Sequence, residues 1–122
     1  LSYTTFALSN LRASSSSMNQ DDRITFTVTV KNTGKRAGAE TVQLYIHDVK
    51  SSVDRPYKEL KGFQKVSLQP GESRDVAITI DRDALSFYDE TTSSWKAEAG
   101  KFEALVGNAS DNLRLRKSFT LE

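Results

Sequence analysis

The sequence predicts an all-β domain, an antiparallel sandwich of about seven or eight short strands. Three observations carry this expectation. Apolar and polar residues alternate with a period of two through "RITFTVTV" and again through "TVQLYIHD", as they do where one strand face meets a core and the other meets water. Turn-forming residues, among them Gly34, Gly38, Pro70-Gly71 and Gly100, punctuate the chain about every eight to twelve residues. No segment sustains the 3.6-residue apolar period of an amphipathic helix. A closed barrel satisfies the same pattern and is the alternative arrangement.

Each element follows from its residues. Strand-like sequence begins at Tyr3, and "ASSSSMNQDD" reads as a serine-rich, mobile loop after the first strand. In the next strand Ile24, Phe26, Val28 and Val30 face inward and Thr25, Thr27 and Thr29 outward. "NTGKRAG" then turns the chain into a strand with Val42, Leu44 and Ile46 inward, and the two strands are expected to be antiparallel neighbours. "LKGFQKVSL" places Leu60, Val66 and Leu68 in one register. Pro70-Gly71 supplies a turn, after which Val76, Ile78 and Ile80 return. "DRDALSFYD" suits a single helical turn capped by Asp81 or Asp83, then a short strand. Trp95, Ala97 and Ala99 precede Gly100, with Phe102, Ala104 and Val106 after it, and the last strand keeps Leu113, Leu115, Phe119 and Leu121 in phase.

The 122 residues suffice for one domain with its own core, without a metal or disulfide. A leucine at position 1 suggests a piece of a longer polypeptide. Seventeen basic against sixteen acidic residues, interspersed, argue against nucleic acid as a partner. No apolar run reaches the ~20 residues of a membrane-spanning helix. With no cysteine, disulfides, zinc thiolates and a thiol nucleophile are excluded.

Residues for catalysis are sparse. His47 is the single histidine, out of phase with Leu44 and Ile46, and suits a surface or interface role. Asp81, Asp83, Asp89 and Glu90 lack the spacing of a calcium loop and are better explained as caps and turns. No catalytic residue, metal site or cofactor is expected. Asn108-Ala109-Ser110 matches the N-glycosylation acceptor pattern, which matters only in a eukaryotic source.

The aromatics are less ordinary. Tyr45 projects from the outer face with Gln43 and His47, and Phe63 lies opposite Leu60, Val66 and Leu68. Arg55, Pro56 and Tyr57 sit in the connection between. These five residues, Tyr45, Arg55, Pro56, Tyr57 and Phe63, form a candidate docking surface, since tyrosine, phenylalanine and arginine are the types enriched where protein surfaces are buried. The ordinary alternative is that Tyr57 or Phe63 packs beneath its own loop.

"VKNTGKRAGAETVQLYIHDVKSSVDRPYKELKGFQKVSLQPGES", followed by "LSFYD" and "GKFEALVGNASDNLRLRKSFTL", resembles the fibronectin type III-like domain at the C-terminal end of family 3 glycoside hydrolases, typically β-glucosidases. "RPYKELKGFQKVSLQPGE" carries most of that likeness. The resemblance implies an immunoglobulin/fibronectin type III-like sandwich over residues 1–122, acting as a non-catalytic accessory domain. Its partners would be the catalytic domains of the same polypeptide, a secreted or periplasmic enzyme that hydrolyses terminal β-glucosides with retention. Exposed as an isolated chain, the docking face would permit weak self-association. The competing reading is a free-standing module that binds carbohydrate or cell-wall polymer through its exposed aromatics. An adhesion module has less support, for there is neither a tandem repeat nor an Arg-Gly-Asp tripeptide.

Overall fold

The computed structural model describes residues 4–50 and 57–122. Among these described residues it is an all-β sandwich of ten strands: β1 Phe6–Ala13, β2 Ser17–Met18, β3 Arg23–Asn32, β4 Gly38–Asp48, β5 Glu59–Leu68, β6 Ser73–Asp81, β7 Phe87–Asp89, β8 Ser94–Lys96, β9 Gly100–Gly107 and β10 Leu115–Leu121. One sheet has the order β1-β3-β6 and the other β2-β10-β9-β4-β5, while β7 and β8 form a separate hairpin. All pairings are antiparallel except that of β2 with β10. The count exceeds the expected seven or eight because β2, β7 and β8 are only two or three residues long.

The inward residues of the two sheets meet as the alternation requires. Ile24, Phe26, Val28 and Val30 of β3 face Val42, Leu44 and Ile46 of β4 and Phe102, Ala104 and Val106 of β9 within one core. Phe119 sits edge-on to Phe26 at 5.3 Å and stacks on Phe102 at 5.7 Å, so aromatic contacts reinforce the packing of the sheets.

Three local expectations are corrected. First, β3 and β4 are not neighbours. Both edges of β3 are taken by β1 and β6, so residues 33–37 carry the chain across to the other sheet. Asn32, fully buried, secures that crossing. Its Nδ2 donates to the carbonyls of Arg36 (2.8 Å) and Leu68 (3.1 Å). Its Oδ1 accepts from Thr4 Oγ1 (2.7 Å) and the Gly34 amide (3.0 Å). Its backbone exchanges bonds with the Pro70-Gly71 turn, through Gly71 N and Glu72 O at 2.9 Å each.

Second, the serine-rich segment is pinned. Met18 is buried in the core, β2 runs parallel to the end of β10, and the amides of Thr120 and Glu122 donate to the carbonyls of Ser16 and Met18. One well-placed apolar residue outweighs the polar composition around it.

Third, Leu60 faces outward and is 49% exposed. The ladder pairs Leu44 with Gly62 but Tyr45 with Leu60, leaving Lys61 as the extra residue of a β-bulge. An inserted residue inverts the facing of everything before it. The helical turn behaves as expected: Arg82–Leu85 forms one 3₁₀ turn, and the Asp81 carboxylate accepts from the Asp83 amide.

Candidate docking surface

Antiparallel partners share a face of their sheet, which makes the outer surface of the five-stranded sheet readable from its register. Tyr45 of β4 lies opposite Leu60 of β5 on one side and Leu105 of β9 on the other, and Gln43 lies opposite Phe63. Tyr45, Leu60, Leu105 and Phe63 therefore belong to one face. Phe63 is 66% exposed and Tyr57, just before β5, 60%. Tyr57 and Phe63 thus do not pack away beneath a loop among the described residues. Arg55 and Pro56 lie outside the described residues.

The polar neighbours hold this surface in place. Tyr45 Oη donates to Gln43 Oε1 at 2.8 Å, and Lys58 Nζ lies 6.0 Å from the Tyr45 ring centroid. His47 stacks on Tyr57 with ring centroids 4.2 Å apart and planes 20° from parallel. Its Nδ1 is 2.7 Å from the Tyr57 carbonyl oxygen. A carbonyl only accepts, so Nδ1 carries the proton and donates. His47 is thus a positioning residue for Tyr57, fastening both its backbone and its ring. Across the sheet the margin is charged, with Arg116 Nη1 3.8 Å from Glu103 Oε2.

Leu105 and Leu60 are the members of this face that sequence reasoning missed. Leu105 is outward by register yet nearly fully buried beneath its neighbours. The continuous apolar run Ala104-Leu105-Val106 was the available signal, because an apolar residue on both faces marks a strand covered on both sides. Leu60 had no such signal, since the bulge depends on the pairing with β4.

Two members of the acidic group, Asp81 and Asp89, serve local structure. Asp81 caps the 3₁₀ turn, and Asp89 Oδ1 accepts from the Thr91 amide at 3.0 Å. Asn108 is also engaged, donating to Glu40 Oε2 (3.1 Å) and accepting from Asn112 Nδ2 (2.7 Å). Among the described residues no group of three or more His, Cys, Asp and Glu is arranged to hold a metal ion, and no helix is long and apolar enough to cross a membrane.

A two-sheet sandwich with this strand order and a structured outer face places the chain in a known class: it belongs to the fibronectin type III-like domain family, whose model matches residues 40–110. Its similarity extends to complete enzymes. It is 46% identical over 118 residues to the thermostable β-glucosidase B of Acetivibrio thermocellus, covering 97% of this chain and 16% of that protein. It is 47% identical over 107 residues to the periplasmic β-glucosidase of Salmonella typhimurium, covering 88% of this chain and 14% of that one. The solved GH3 β-glucosidase of Bifidobacterium adolescentis superposes with a TM-score of 0.91 at 36% identity, over 99% of this chain and 18% of that structure. The chain therefore spans only about one sixth of the length of the relatives it matches.

Proposed function

We propose that this chain is the C-terminal, non-catalytic accessory domain of a family 3 β-glucosidase, docked through the outer face of β4 and β5 onto the catalytic domains of the same polypeptide. The observation that carries the reading is the collection of Leu60, half-exposed, and Phe63, largely exposed, beside Tyr45 on one strand pair, with the exposed Tyr57 just before β5. Large apolar side chains held on a sheet need no further ordering before burial, which favours association. The similarity to β-glucosidases more than five times longer supports the remainder of such an enzyme as the occupant. Arg55 and Pro56 adjoin this face in sequence and belong to the proposed contact. The parent would hydrolyse terminal β-glucosides in a secreted or periplasmic setting, a location supported by the periplasmic relative.

The test uses the full-length polypeptide and the 122-residue chain side by side. Returning Tyr57 and Phe63 to water should cost the docked state about 2–4 kcal/mol, from roughly 60% of two aromatic side chains at 1.5–3 kcal/mol each. The double variant Y57A/F63A should lower the melting temperature of the long polypeptide and leave that of the isolated chain within about 2 °C. An unchanged melting temperature in the long polypeptide would sink the docking role. Sedimentation of the isolated chain adds a second readout: weak self-association that vanishes in the double variant is expected of an uncovered docking face.

A further inference from the structure

A second aromatic surface occupies the separate β7–β8 hairpin. Tyr88 and Trp95 lie directly opposite each other, with ring centroids 5.6 Å apart and planes at 75°. Trp95 is the chain's single tryptophan and is 72% exposed. The hairpin that presents it is tightly built. Asp89 accepts from the Thr91 amide, the Thr92 and Ser94 hydroxyls bond at 2.7 Å, and Ser93 takes a left-handed φ of 52°. A non-glycine residue in that region is strained. The hairpin contributes none of its residues to the buried core, and its Tyr88 and Trp95 are 48% and 72% exposed.

Beside Trp95 lies a hollow of about 280 Å³ bordered by Gln20, Arg82, Asp83 and Lys96. One indole thus stands among an amide, a carboxylate and two cations. The core of a protein-docking patch is depleted in carboxylates and lysines such as Asp83 and Lys96. A sugar ring requires this mixture: an apolar C–H face to stack on an aromatic ring, and hydroxyls that both donate and accept. We infer that Trp95 is a stacking platform for a pyranose ring, with Gln20, Arg82 and Asp83 bonding its hydroxyls. A β-linked glucosyl unit fits best, because its equatorial hydroxyls leave both ring faces lined with axial C–H groups. The site is distinct from the β4–β5 face, so it stands or falls independently of the docking role.

The lone tryptophan makes the test direct. The 122-residue chain is titrated with cellohexaose and with laminarihexaose while Trp95 emission is followed, and a saturable change is expected with at least one of them. R82A and D83N, which retain the fluorophore, should each weaken the response several-fold. For W95A, binding is read by calorimetry, with a loss of about tenfold or more, equivalent to ~1.4 kcal/mol. Circular dichroism melts confirm that each variant is folded, and W95F, which keeps an aromatic face, should retain part of the affinity. No saturable change at tens of millimolar, or undiminished binding by folded W95A, overturns the inference. So does Trp95 emission that is shielded in the long polypeptide and silent to both saccharides, which would assign the hairpin to a contact between domains.

Discussion

Asn32 offers a sharp test of how the two sheets are joined. Its side chain makes four hydrogen bonds, to Arg36 O, Leu68 O, Thr4 Oγ1 and Gly34 N, and the residue is fully buried. Each such bond contributes about 1 kcal/mol net, and a buried group left without a partner costs about 1–3 kcal/mol. Three of the four contacts are part-buried, so water entering after truncation recovers some of the loss. Asn32→Ala should therefore destabilise the chain by about 3 kcal/mol, which at this size lowers the melting temperature by about 12 °C.

Asn32→Asp sharpens the test. It turns the donating nitrogen into an oxygen facing two carbonyls, at positions now 2.8 and 3.1 Å away. Only the protonated acid can donate there, so the folded-state pKa of the new carboxyl is raised above its unfolded value. The folded state then holds the extra proton, and stability relative to Asn32→Ala is greatest below the unfolded pKa of about 3.9. It falls as pH rises towards the folded pKa, by about 1.4 kcal/mol per unit. Urea unfolding followed by far-ultraviolet circular dichroism across pH is the assay, because the exposed Trp95 reports poorly on the core. The reasoning is refuted if Asn32→Ala lies within about 1 kcal/mol of the parent, or if the difference between the two variants is flat with pH.

Other substitutions test individual features. Leu60→Ser should destabilise the isolated chain by only about 1 kcal/mol, the share of a half-exposed leucine, whereas an inward, fully buried Leu60 would cost about 2–5 kcal/mol in the same urea assay. Gly62→Val should destabilise by about 1–3 kcal/mol, because a β-carbon at Gly62 would lie 2.6 Å from Ile78 Cγ2 on the facing sheet. The Thr29 hydroxyl, together with the Arg12 guanidinium, holds the Asp75 carboxyl below the usual carboxylate range. The stability linked to Asp75 is thus present above its unfolded pKa and is lost as pH falls through its lower folded value. Thr29→Ala should move the Asp75 titration upward by NMR, and an unmoved midpoint would show that the hydroxyl is not responsible.

Most strands were legible because the inside and outside of a half-buried strand differ chemically at every residue. Ile24 to Val30 and Val42 to Ile46 declare their faces in the alternation itself. The 3₁₀ turn was legible for a similarly local reason, since Asp81 bonds an amide two residues away. Tyr45 and Phe63 were correctly placed outward, and the motif from Arg55 to Glu72 pointed to the family that the similarity establishes.

What the chain alone determined, then, was its fold class, most inward-facing residues and its local turns, all of which depend on neighbours close in sequence. The tertiary structure decided which edges pair, and with them the course of the connections. Backbone edges are chemically alike along every strand, so alternation does not say that β3 takes β1 and β6 and leaves β4 to the other sheet. Met18 and Asn32 acquire their roles only when segments distant in sequence meet around them. The bulge at Lys61 likewise exists only against β4. That one inserted residue brings Leu60 to the face of Tyr45 and Phe63, because a shift of one position in a strand exchanges its core side for its solvent side.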